Sequence, residues 1–314
     1  MSTDNSFEIA VRIHAAMQLP GIGARTIQKA LDTGVNCFDS DAFVDSLLEA
    51  SSRVSKDSIS ARVLDDLTGA SWDLLETASN DGQELITYLD SDYPNSLRDL
   101  SNPPLILFCK GNISLLHSDM PSIAAVGSRK AGDYGLRVAH RFGEVLTEAG
   151  TIVVSGLAIG CDTAAHEGCL AKDGSTIAVL PSPLDKVVPE QNSGLAERII
   201  SKHGLLIGEL PPGARIDRSS FVQRNRIQAA LSEKVIIIET SVNGGTMRTA
   251  EFAQKLQRLI GAYSFSEKYQ TRENEGNSKL IDEGIAVPLS DAQSISTFLN
   301  ARPQSVEDQL LLPF

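Results

Sequence analysis

The stretch AAVGSRKAGDYG, Ala124 to Gly135, decides the fold. Its apolar start reads as the end of a buried strand, Gly127-Ser128-Arg129-Lys130 as a tight basic turn, and the residues from Asp133 onward as the start of a helix. Beyond it, Leu136, Ala139, Phe142, Leu146 and Ala149 recur at helical spacing along one face. Strand, short turn and amphipathic helix together make the repeating half of a parallel α/β sheet.

The same alternation continues downstream. The apolar runs SIAAV, TIVV, STIAVL, GLLI, KVIII and RLIGAY are separated by segments of helical pattern over 162–171, 193–203, 222–232 and 246–257. Short continuous apolar strands alternating with amphipathic helices predict an extended Rossmann-like, doubly wound and mostly parallel sheet with both faces covered. In such sheets ligands gather at the carboxyl ends of the strands, so the turns that follow the strands are the places to search.

Upstream the pattern changes. Ile9, Ile13, Ala16 and Met17 have helical spacing, LPGIG (Leu19 to Gly23) interrupts, and Ile27, Ala30 and Leu31 resume it. The turn resembles a helix-hairpin-helix (or SAM-like) element, whose glycine amides would hold one phosphate. Its acidic surroundings favour a packing turn in a small helical domain. Residues 40–90 read as mainly helical, and NPPLILFCKGN (102–112) as a strand entering the next domain. The expected organisation is a helical domain over 1–90, the Rossmann-like domain over 91–300 and a C-terminal tail over 301–314.

With 314 residues and 42% hydrophobic content the chain can bury a sizeable core. It contains no apolar run of the roughly 18 residues a membrane helix requires, and MSTDNSFEIAVR has no signal-peptide pattern. A cytoplasmic protein without a membrane partner is expected. Cys37, Cys109, Cys161 and Cys169 form no Cys-x-x-Cys pair, so neither a disulfide framework nor a metal site is expected. The net charge of −12 is uneven. Residues 1–120 carry 8 Lys and Arg against 18 Asp and Glu, and residues 263–314 carry 4 against 8. Residues 121–262 carry 16 against 14, leaving the middle as the only segment a polyanion meets without local repulsion.

Gly127-Ser128-Arg129-Lys130 offers free amides, a hydroxyl and two cations at a helix start, which suits a phosphate. It fails the G-x-G-x-x-G and Walker patterns, so no dinucleotide or other cofactor is expected. In SGLAIGCDTAAH, Gly156 and Gly160 allow close approach of backbones, Asp162 reads as a helix cap, and His166 as a packed or hydrogen-bonded histidine. Arg224 and Arg226 diverge around their helix, so that one reaches a ligand while the other secures a neighbour.

These pieces resemble the DNA-processing protein A family, DprA or Smf. The resemblance rests on YPNSLRDLSNPPLILFCKGN, IAAVGSRKAGDYG, VVSGLAIGCDTAAHEG, TIAVL, LLIGELPPG, FVQRNRIQAALS and NGGTMRTAEFA in the family's order. It implies a dimer that binds single-stranded DNA without a catalytic step and passes it to a RecA-type recombinase. The family's motifs fall on Gly127, Ser128, Arg129, Lys130, Ser155, Gly156, Gly160, Arg224, Asn225 and Arg226 as phosphate contacts, with Lys172 as an addition. The chain departs from the pattern at Pro183-Leu184-Asp185 and at Gln228-Ala229-Ala230, where Ile-Ala-Gly is usual. Two other readings stay open. One is an antitoxin that holds a phosphoribosyltransferase-like toxin in phage defence. The other is a nucleotide-hydrolysing enzyme using Glu251, which lacks a second acid beside it.

Overall fold

Strands form where every residue of a short apolar run finds cover. The runs around Ile152–Ser155, Thr176–Val179 and Lys234–Ile237 are buried along their whole length. The computed structural model describes residues 3–301 apart from 53 and 55–57. Its elements run α1 (Thr3–Met17), α2 (Ala24–Asp32), α3 (Ser40–Ala50), α4 (Ala61–Asn80), β1 (Glu84–Thr87), α5 (Asn95–Arg98), β2 (Ile106–Gly111), β3 (Ser122–Val126), α6 (Asp133–Glu148) and β4 (Ile152–Ser155). There follow α7 (Cys161–Leu170), β5 (Thr176–Val179), α8 (Ser193–Ser201), β6 (Leu205–Gly208), α9 (Arg218–Leu231), β7 (Lys234–Ile237), α10 (Thr246–Lys255), β8 (Leu259–Tyr263), α11 (Glu275–Asp282), β9 (Val287–Leu289) and α12 (Ala292–Asn300). The described residues divide into two compact units. One takes the segments up to His117, Leu180–Val187 and Leu205–Ile216; the other takes Ser118–Val179, Val188–Gly204 and the residues from Asp217 on.

In the first unit α1 packs on α4 and α2 on α3 around Ile9, Ile13, Ile27, Phe43, Leu47, Leu64 and Leu75. The LPGIG turn joins α1 to α2, with Gly21 at φ 76° where a side chain would be strained. Met17 points to solvent rather than into the helical stripe. Arg12 is buried and reaches the Cys37 carbonyl, the Thr68 hydroxyl and the Asp65 carboxylate at 2.8, 3.0 and 3.0 Å. The end of the stretch read as helical is instead β1, antiparallel to β2 with Leu85 opposite Phe108, and β2 pairs antiparallel with β6. Four residues are too few for an alternation to outweigh the acidic helical pattern before them.

The second unit holds the parallel sheet, ordered β5-β4-β3-β7-β8-β9. Alternate residues of β3 point to opposite layers. Ile123 and Ala125 pack with Phe142, Leu146 and Val153 on one side; Ala124 and Val126 pack with Ala229, Ala250 and Ile260 on the other. The packed face of α6 is Gly135, Ala139, Phe142, Gly143 and Leu146, whereas Ala149 is exposed at the C-cap. Gly143 and Gly168 let α6 and α7 touch backbone to backbone. A Cβ would lie 2.1 Å from the Ala165 oxygen at the first and 1.9 Å from the His140 oxygen at the second. Helix α9 begins at Arg218, four residues before the start read from the sequence, because Asp217 and Ser220 form a capping box. The tail expected over 301–314 lies, from 302 on, outside the described residues. Among the described residues no helix is long and apolar enough to cross a membrane.

These contacts make two glycines opposite in their response to alanine. Gly143→Ala forces a methyl into the α7 backbone and is expected to cost about 2 kcal/mol or more. Gly69→Ala, at an exposed position of α4 with open space around it, is expected to stabilise by about 0.5–1 kcal/mol. Urea midpoints of the two variants against the native chain check both signs.

Candidate nucleic-acid interface

The turn after β3 is held on every side. The Ser128 amide donates to the Glu239 carbonyl at 2.7 Å, and the Ser128 carbonyl accepts from the Cys161 amide at 3.1 Å. The Lys130 amide donates to the Ser128 hydroxyl at 3.0 Å. The Gly127 amide stands near the Asp162 carboxylate and the Gly132 amide, at the N-cap of α6, near the buried Glu239 carboxylate, and each amide favours the charged form of its neighbour. Of the amides expected to be free for a phosphate, those of Ser128 and Lys130 are committed within the protein. The Glu239 carboxylate stands near the start of α6, where a helix start attracts an anion. Burial pushes the Glu239 carboxyl up, and the Gly132 amide opposes that shift. What the turn offers outward is the exposed side chains of Arg129 and Lys130.

Glycines make this packing possible. A Cβ on Gly135 would lie 1.7 Å from Glu239 Oε2, and one on Gly127 would lie 2.5 Å from Cys161 Sγ. Gly160, at φ 91°, brings the loop after β4 against the Ser128 carbonyl, where a Cβ would come within 2.3 Å.

Helix α9 presents Phe221, Arg224, Asn225 and Gln228 at i, i+3, i+4 and i+7, one face of the helix. Arg224 is 6% exposed, donates from Nη1 to the Val179 carbonyl at 2.8 Å and from Nε to Asn225 Oδ1 at 3.2 Å, and lies 4.0 Å from Asp162 Oδ2. It passes so close to Gly156 that a Cβ there would lie 1.5 Å from Nη1. Burial pulls the Arg224 guanidinium down to about 10, opposed by Asp162, so it stays charged at neutral pH. Burial raises the Asp162 carboxyl above its ordinary range, opposed by Arg224 and by the amides of Ala158 and Gly127. Asp162 is therefore not the helix cap read from the sequence. Gly160 is the N-cap of α7 and makes no side-chain cap, while Asp162 turns inward from the first turn.

Together these elements line a cleft of about 470 Å³. Of the residues singled out in the sequence, Gly127, Ser128, Arg129, Lys130, Arg224 and Asn225 line it. Ser155 is fully buried behind it and donates to the Ala125 carbonyl at 2.6 Å; Gly156 and Gly160 back Arg224 and Ser128. Arg226 is buried elsewhere, donating to the Gln223 carbonyl at 3.0 Å. Lys172 lies outside the cleft, paired with Glu148 at 2.7 Å. Arg218, Phe221 and Gln228 also line it and were missed. Arg218 fell before the helix start assigned from the sequence, and the spacing F-x-x-R-N-x-x-Q was the available signal for the other two. The Arg129 guanidinium lies 4.5 Å from the centre of the Phe221 ring. Asn225 Nδ2 reaches the Gly245 carbonyl at 3.3 Å and ties α9 to the glycine-rich loop before α10.

The fold and cleft define a Rossmann-like α/β protein with a cation-fringed cleft at the carboxyl ends of its strands. Residues 84–300 match the family model of DNA recombination-mediator protein A, and the chain belongs to that family. It is 34% identical over 246 residues to the Smf protein of Synechocystis sp., covering 77% of this chain and 61% of that one. To the DNA processing protein DprA of Streptococcus pneumoniae it is 35% identical over 210 residues, covering 67% of this chain and 72% of that one. The putative DprA of Mycobacterium tuberculosis is matched over only 51% of its length, so the chain spans half to three-fifths of these longer relatives. The X-ray structure of the S. pneumoniae DprA superposes with a TM-score of 0.76 at 28% identity, covering 95% of this chain and 98% of that one. The DprA of Helicobacter pylori, solved for its single-stranded DNA binding mode, superposes with a TM-score of 0.61 at 29% identity, covering 69% and 95%.

Beside the cleft, His166 is fully buried and bonds the Thr176 hydroxyl through Nδ1 at 2.7 Å. That hydroxyl donates to the Val153 carbonyl, so Nδ1 carries the proton in the neutral ring. Burial first, then the charge of Arg224, lowers this histidine to about 3. In the unfolded chain it titrates near its ordinary value of about 6.5. Its neutral burial thus contributes fully above pH 6.5, and the contribution is lost as pH falls toward 3. Asp162, raised, contributes in the opposite sense, so the difference between native and His166→Asn chains isolates the histidine. Urea midpoints between pH 7.5 and 5 are expected to show a shallower loss on acidification in the variant, by up to about 1.4 kcal/mol per pH unit below 6.5. Parallel profiles would refute the assignment.

Proposed function

We propose that this chain binds single-stranded DNA, without a catalytic step, by running the phosphate backbone along the mouth of the cleft. The observation that carries this reading is the placement of exposed Arg129, Lys130 and Arg218 around one cleft in a chain of net charge −12. Cations concentrated at one concave site on an acidic protein favour a specific groove over a generally adhesive surface. Membership of the recombination-mediator family and the single-stranded DNA binding of the H. pylori relative support the same ligand. Asp162, buried and facing a guanidinium, suits a structural partner better than a general base. The chain acts as a homodimer in the cytoplasm and hands the strand to a RecA-type recombinase in this reading. Both of these parts rest on the family.

Arg129 and Arg218 are the informative positions. Arg224 is not, because removing one partner of a buried pair costs about 3–5 kcal/mol of stability and confuses binding with folding. Fluorescence anisotropy of labelled single and double strands over a salt series should show single-strand preference. For Arg129→Gln and Arg218→Gln, affinity should drop and the slope of log K against log salt should flatten by about 0.7 each. Binding that ignores both substitutions, or no binding at low salt, overturns the reading. Sedimentation at working concentration tests the dimer.

A further inference from the structure

The cleft changes character with depth. Its cations at Arg129, Lys130 and Arg218 are exposed, whereas Thr240, Thr249 and Gln228 inside it are 1%, 2% and 1% exposed. Gln228 lies one helical turn beyond Arg224 on the cleft face of α9. Its Nε2 makes no hydrogen bond among the described residues. A buried amide N–H without a partner is costly, and such exceptions mark places where a ligand completes the site. An acceptor that enters the cleft and meets this edge of the carboxamide would complete it.

We propose that Gln228 reads the edge of one base of the bound strand, so that the cleft discriminates among bases while its mouth holds phosphates. This rests on the single-strand reading above and adds a specificity residue to it. A carboxamide carries no charge to match a phosphate. It offers a donor and an acceptor side by side, the arrangement that pairs with the edge of a neutral heterocycle. Inside the cleft the buried charges of Arg224 and Asp162 already face each other, so a neutral planar ring meets no net repulsion there. The volume of about 470 Å³ falls in the range of sites that enclose a small ligand. Single strands suit this because their bases are free to turn outward.

The test measures anisotropy of labelled dT, dA and dC strands of about 20 nucleotides, with an abasic strand of equal length, at one salt concentration. Native protein is compared with Gln228→Leu, which keeps bulk, and Gln228→Glu, which leaves an acceptor in place of the donor. The native protein is expected to rank the three base-bearing strands and to bind the abasic strand more weakly. Gln228→Leu should compress the preference for the best strand by roughly fivefold, with the abasic affinity and the salt slope unchanged, and Gln228→Glu should reorder the ranking. Salt-sensitive binding with an unaltered ranking in both variants overturns this inference and leaves the single-strand reading intact. If neither variant folds, the native protein alone decides: equal affinity for the three base-bearing strands, or for these and the abasic strand, overturns it. Failure of every strand to bind removes both readings.

Discussion

A guanidinium taken out of water holds the carboxyl edge of the second unit together. Arg224 leaves α9, passes over Gly156, bonds the carbonyl at the end of β5 and faces Asp162 in the first turn of α7. Taking such a charge out of water is tolerable only because a carbonyl, an amide oxygen and a carboxylate surround it. Those partners belong to different elements, so the pair fixes their relative positions. Beside Asp162 the Cys161 amide donates to the Ser128 carbonyl, and through it the basic turn inherits the same frame.

This frame divides structural duty from surface duty. Backbone groups at the strand ends satisfy one another: the Ser128 backbone is bonded at both its amide and its carbonyl, and the Glu239 and Asp162 carboxylates stand beside the Gly132 and Gly127 amides. Backbone polar groups committed in this way are poor ligand contacts but good supports. The side chains they support face outward or line the cleft. A turn fixed from behind loses little further freedom when it binds, which favours affinity.

The local field follows the same division. The acidic residues concentrate before residue 121 and after 262, leaving the cleft region near neutrality with its cations clustered. Repulsion from the flanks discourages a polyanion from adhering broadly, while the cleft remains attractive at short range, where screening by salt is least effective.

The strand and helix alternation of the second unit was legible because continuous apolar runs and helical stripes are local properties of sequence. SIAAV, TIVV and KVIII became β3, β4 and β7 within a residue or two. Short or capped elements were less legible. β1 has four residues, and the start of α9 depends on a capping box whose Asp and Ser also suit a loop. The basic turn and the arginine helix were visible as chemistry, since charge and glycine do not depend on context. Which amides stay free, which of Arg224 and Arg226 meets the cleft, and that Asp162 is an inward acceptor were not visible, because each depends on a partner more than 30 residues away. Sequence alone thus determined the fold class, the location of the strand-end turns and the cationic character of one of them, through periodicity and composition. Tertiary structure alone decided that Glu239 packs against the basic turn and the start of α6, that Lys172 stands apart, and that Gln228 lines the cleft. Burial and hydrogen-bond partnership arise only when distant segments pack.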